Sequence, residues 1–257
     1  ARGAGRGDWW GWCGGARDRT RVLEGGAAES GGVGRWVASG GWTCAGIASM
    51  LTGLHPPAHG RGTRDDYVDE TLVMPLDVLR KDHGYRTMAR ENTGPTVRGL
   101  GFSWQYRPAR KDPADVLEWL AHKDEKWLAW VHVKPTHLPY DPPAYHLRRF
   151  GGDRLDTEAI RAVRSSFTVY PEDYGLSWDP PVIASFTDEE QAVVRDLYDG
   201  EVARADDLVG RLMQILDDAG ELERTLVVIT ADHGEELFDH GWVGHASTGY
   251  RGKVTDE

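Results

Sequence analysis

An α/β fold, with a largely parallel sheet sandwiched by helices, is what this sequence predicts. Three observations carry that expectation. Short apolar runs rich in β-branched or aromatic residues, Trp127 to Val133 and Leu226 to Ile229, read as buried strands. Each run ends in a cluster of polar side chains, and ligands bind beyond the carboxyl ends of strands in such sheets. Segments with helical periodicity alternate with the runs, and strand, helix, strand order implies parallel pairing. The 257 residues suffice for one large domain, residues 1–257, and no internal repeat is visible.

Taken in order, residues 1–42 are rich in Gly and Arg and read as loop, with a weak helical segment from Leu23 to Glu29. Thr43 precedes an Ala/Ile/Met/Leu segment with helical character, and Gly53 is placed to close it. A hydroxyl there has two readings. It caps the helix, or it is a nucleophile whose anionic target the helix N-terminus favours. Leu72 to Lys81 predicts a helix, and His83 to Thr87 leads into a strand. Pro113 to His122 is amphipathic. After the Trp127 strand come Lys134, a solvated lysine or an anion contact, and His137, a loop histidine or a proton donor. Residues 144–186 are charged and aromatic with little periodicity and read as a lid or surface loop. Thr187-Asp-Glu-Glu190 is a capping box, opening a helix that runs to about Ala219 with Val194, Leu197, Val202, Ala205, Leu208, Leu212 and Ile215 on one face.

The Leu226 run ends in Asp232, His233 and Gly234, followed by Asp239, His240 and His245. A carboxylate beside an imidazole at a strand end suits a divalent metal, since both offer lone pairs to a borderline cation. The alternative is a solvated acidic turn.

Composition excludes several classes. A net charge of −11 argues against general nucleic-acid binding, while local cations leave room for a small anionic substrate. Cys13 and Cys44 provide neither a disulfide framework nor a thiolate cluster. No apolar run approaches the ~20 residues of a membrane span.

Six motifs in order along the chain resemble the sulfatase family. Thr43 to Gly60, with Ser49-Met-Leu-Thr-Gly-Leu54 and His59-Gly60, is similar to its active-site segment. Asp8-Trp-Trp-Gly-Trp-Cys-Gly14 with His83-Gly-Tyr-Arg-Thr87, Val131-His132 through His137 to Pro143, Tyr198-Asp-Gly-Glu-Val202 and Asp232-His-Gly-Glu235 follow the family's order. The resemblance implies an alkaline-phosphatase-like α/β fold, a divalent metal, and hydrolysis of small anionic sulfate or phosphate esters. On that pattern Asp232 and His233 hold the metal, Ca²⁺ first, with Mn²⁺ and Zn²⁺ as alternatives. Thr43 or a water attacks, His137 protonates the leaving oxygen, and Lys134 and His245 neutralise the anion.

The departures from the pattern are specific. The nucleophile position falls on Thr43, not Cys44, and threonine cannot be oxidised to formylglycine because its β-carbon carries a methyl. Ala45, Gly46 and Ile47 replace the family's Pro-Ser-Arg, and His245 stands where many members have lysine. The first strand and its metal-binding aspartates are not found before Asp8. The chain therefore reads as a piece lacking the first strand and the C-terminal part, and these residues alone are expected to bind metal weakly, melt poorly and show no detectable sulfatase activity. A phosphodiester or phosphonate ester hydrolase with a threonine nucleophile, and a non-catalytic family member, are the competing readings.

Overall fold

The structure is a computed structural model. It describes residues 20–28, 30–33, 36–62, 66–90, 96–106, 116, 125–151, 158, 160–161, 186–239 and 243–245. Its centre is strand β1, Arg86–Arg90, which pairs in parallel with β2, Trp104–Tyr106, on one side and with β3, Trp127–Val131, on the other. Successive β1 side chains face opposite ways, as strand geometry requires. Ala89 joins a cluster with Ile47, Val97 and Leu100, while Met88 packs with Val116 and Leu216. Both faces of β1 are thus buried beneath helical elements, and this explains its unbroken burial from Thr87 to Arg90.

One face carries α2, Thr43–Thr52, and α4, Pro75–His83; α1 is Arg21–Ala28 and α3 is Pro56–His59. The C-cap glycines Gly53 and Gly84 adopt left-handed conformations and donate back to Ser49 and Leu79, which stops α2 and α4 sharply. The expected start of α4 at Leu72 is three residues early, because Pro75 takes the first helical turn, where its missing N–H costs nothing. A buried hydrogen bond between Ser49 Oγ and His59 Nε2, 3.0 Å, joins α2 to α3.

The other face carries α6, Asp188–Asp218, with both halves of the Thr187/Glu190 capping box formed. Asp206 on α6 accepts the backbone N–H groups of Val22 and Leu23 at 3.0 and 2.9 Å and thereby seats α1. Helix α5, Ala144–Phe150, also packs on α6. This corrects the expectation of loop from residue 144 onward. Pro142 and Pro143 immediately precede α5, and proline is well suited to a helix start. Most of the rest of that insertion, and most of Pro113 to His122, lie outside the described residues.

The Leu226 to Ile229 run departs from expectation more sharply. It is not a buried, hydrogen-bonded strand. Leu226 is 89% exposed and Val228 74%, whereas Val227 is half-buried and packs against the cluster of Met88, Val116 and Leu216. No ladder forms there among the described residues. A cavity of about 330 Å³, lined by β3, α6 and residues 225–235, adjoins the run. Apolar content reports a wish to be buried; burial on both faces also needs neighbours that pair and cover, and content cannot supply those.

Beyond the run, β4, Glu236–Leu237, and β5, Val243–Gly244, form a short antiparallel ribbon. Its Leu237 and Val243 join a core cluster with Leu138, Tyr140, Val194 and Leu197. No helix among the described residues is long and apolar enough to cross a membrane.

Candidate active site

Three polar atoms meet where α2 begins. Thr43 is the first residue of α2, and the residue before it, Trp42, makes no side-chain cap. The Thr43 hydroxyl instead lies 3.1 Å from His233 Nε2. His233 Nδ1 is 2.8 Å from the Gly234 carbonyl, which can only accept, so Nδ1 carries the proton and Nε2 presents its lone pair. Asp232 Oδ2 stands 3.5 Å from the same Nε2 and is buried without a hydrogen-bond partner. Ligands about 2.0–2.6 Å from one ion are about 3–4 Å from each other, so this spacing suits a shared divalent cation. An unpartnered buried carboxylate oxygen is costly unless something charged completes it, and a cation does so.

Gly46 makes this approach geometrically feasible. A Cβ built on it would stand 2.2 Å from the Asp232 carbonyl oxygen. The α2 helix and the Asp232 loop therefore touch backbone to backbone, with no room for a methyl group. Glycine inside a helix costs about 1 kcal/mol relative to alanine, and that local cost was the sequence signal for a close approach.

The remaining predicted residues gather around the trio. The His245 ring centroid is 4.2 Å from that of His233 and 4.9 Å from that of His137. Lys134 and His137 line the same cavity as Thr43, Asp232, His233 and His245. His137 Nδ1 lies 2.6 Å from the Leu138 carbonyl and donates to it. Asp239 is exposed, and His240 lies outside the described residues.

Two further residues belong here, Glu235 and Tyr140, which lie within the motifs above but were assigned no role. Glu235 Oε2 is 2.5 Å from His245 Nδ1, and Glu235 Oε1 accepts the Tyr140 hydroxyl at 2.6 Å. His233, Glu235 and His245 also form a compact group of metal-type ligands. Asp232 beside His233 offers a second pair of such ligands, and its Oδ2 is buried without a hydrogen-bond partner.

Electrostatics sharpen the picture. Burial drives His137 down to about 4, helped by repulsion from His245 and Lys134. Burial also lowers His132 and His233. Burial alone would raise Asp232, but the surrounding imidazoles, His233 first, outweigh it and keep the carboxyl below its ordinary value.

An imidazole held below its unfolded value binds fewer protons in the folded state than in the unfolded state. Its stabilising effect is complete above about pH 6.5 and is lost as pH falls towards 4. For His137 the difference amounts to about 3 kcal/mol. We expect urea midpoints to fall steeply between pH 7 and pH 4.5, and His137→Asn to flatten that dependence. Equal pH slopes in parent and variant would refute the assignment.

The family profile named Sulfatase matches residues 7–255, nearly the whole chain. The chain belongs to the sulfatase family. It is similar to arylsulfatase K of Xenopus laevis, 40% identical over 73 residues, covering 28% of this chain and 14% of that protein. Arylsulfatase K of Rattus norvegicus is 31% identical over 240 residues, covering 77% and 42%. The chain thus spans less than half the length of these relatives. Among solved structures, a phosphonate monoester hydrolase of Agrobacterium radiobacter superposes with a TM-score of 0.65 at 20% identity, covering 94% of this chain and 65% of that one. That likeness establishes the alkaline-phosphatase-like fold. Sulfatase-family enzymes use a divalent metal ion.

Proposed function

We propose that this protein hydrolyses sulfate esters at the pocket beginning at Thr43. The convergence of Thr43 Oγ1, His233 Nε2 and Asp232 Oδ2 is the observation that supports it. Asp232 and His233 would hold a divalent ion, Ca²⁺ first and Mn²⁺ or Zn²⁺ as alternatives. When bound, that ion supplies Lewis-acid polarisation of the ester oxygen.

The chain's own residues account for the other demands. Amide groups at the α2 N-terminus favour an anion in front of Thr43. Thr43 Oγ1, or a water it orients, attacks the sulfur and gives its proton to solvent as the bond from sulfur to the leaving oxygen breaks; on the Thr43 route a water then attacks the sulfothreonine and releases sulfate. His137 delivers the proton to the leaving oxygen. It is neutral in the empty pocket, and an anionic ester between it and Lys134 offsets the repulsion that helps keep it so, raising its affinity for that proton. Lys134 and His245 balance charge on the departing sulfate.

One observation favours a second reading. Position 43 carries an ordinary secondary hydroxyl, which suits direct attack on phosphorus in a phosphodiester or phosphonate ester. An aryl sulfate and an aryl phosphonate monoester assayed side by side, with and without EDTA, separate the readings. In the full-length protein we expect faster, EDTA-sensitive sulfate release. Faster phosphonate turnover would shift the assignment to the second reading, and no turnover of either would leave a non-catalytic family member.

A further inference from the structure

The ribbon register places one pair of residues in a special relation. Glu236 pairs with Gly244 and Leu237 with Val243. Continuing that antiparallel register by one step sets Glu235 opposite His245, where side chains on one face meet. Gly244 has φ 98°, and a Cβ there would meet Leu138 Cδ1 at 2.7 Å. The backbone is thus bent at the residue just before His245, in a conformation that an L side chain rarely adopts.

The side chains then form a directed chain. The Tyr140 hydroxyl donates to Glu235 Oε1 at 2.6 Å. Glu235 Oε2 sits 2.5 Å from His245 Nδ1. A carboxylate accepts here, so Nδ1 carries the proton, and Nε2 lies on the other edge of a ring packed against His233 and His137. Tyr140 is fully buried and follows the loop that bears His137. The chain Tyr140–Glu235–His245 therefore ties the His137 loop to the His245 ribbon.

A buried ionised carboxylate is a poor way to stabilise a fold, since well-packed apolar residues of similar volume do as well or better. Its value lies in direction. We infer that Glu235 is a positioning residue: it fixes the tautomer and ring orientation of His245, so that Nε2 rather than Nδ1 faces the bound ester, and Tyr140 holds Glu235 in place. This rests on the hydrolase reading above for what Nε2 meets. Comparable outer partners of active-site histidines change activity on the order of 10- to 100-fold when removed.

The test uses the intact protein, its Glu235→Gln and Tyr140→Phe variants, and His245→Ala alone and combined with Glu235→Gln. Nitrogen-detected NMR of labelled histidine should show the His245 Nδ1 proton strongly downfield, with the signal lost or moved in Glu235→Gln. Turnover number should fall on the order of 10-fold or more in Glu235→Gln and less in Tyr140→Phe, with KM within about twofold. In the His245→Ala background Glu235→Gln should cost nothing further, because its effect runs through that ring. A merely structural carboxylate would cost the same in both backgrounds, and that result, or a His245 protonated at Nε2 alone, overturns the proposal. If Glu235→Gln does not fold, Tyr140→Phe provides the same comparison against His245→Ala. If the parent turns over no ester, the hydrolase reading fails, and the NMR measurement alone decides whether Glu235 sets the tautomer.

Discussion

In the full-length protein, Thr43→Ala should reduce ester turnover by on the order of 10³-fold or more, while Cys44→Ala should leave it within about twofold. The two residues are adjacent in sequence and opposite in setting. Thr43 directs its hydroxyl to His233 Nε2 at 3.1 Å. Cys44 is buried in a small cluster with Trp42 and Ala45. Removing the hydroxyl deletes the attacking atom, or the atom that orients water. Losses of this size are seen when a nucleophile is removed and only binding and electrostatic stabilisation remain. Thr43→Ser, which keeps the oxygen, should retain most of the turnover. A Cys44→Ala variant as impaired as Thr43→Ala, with an aldehyde at residue 44 by mass spectrometry, would shift the nucleophile by one position.

The parts legible in sequence were those written in local chemistry. Helix α6 was readable because its capping box and its apolar spacing both lie within one segment. The end of α2 was readable from Gly53, since a left-handed C-cap favours glycine. Asp232 and His233 stood out because adjacency places them together whatever the rest of the chain does. Glu235 carried no such signal. Its partner is ten residues away across a ribbon of two-residue strands, and no tight-turn dipeptide announced that register. Gly46 was visible as a break in a replaced motif, but its reason, the Asp232 carbonyl, lies far along the chain. Leu226 to Ile229 was misread because apolar content is local whereas pairing partners are not. Helix α5 was missed because seven residues leave too short a period to recognise, and two prolines just before it also suit a loop.

Asp232→Asn should cost stability without metal and cost more with it. In the metal-free protein the surrounding imidazoles, His233 first, outweigh burial and hold the carboxyl below its ordinary value, so its charge already contributes to stability near neutral pH. Removing its charge should therefore lower metal-free stability. With metal the loss grows, because the same charge is a principal attraction for the cation. An ion binding only the folded state adds about 2.7 kcal/mol at 100 times its dissociation constant. That increment should appear in the parent and vanish in Asp232→Asn. Calorimetric titration of Ca²⁺, Mn²⁺ and Zn²⁺ into parent and variant measures it directly. The account predicts one saturable site per chain in the parent, weakened on the order of 100-fold or more in Asp232→Asn. Equal affinity in both proteins, or no binding of any of the three ions to the parent, would contradict it.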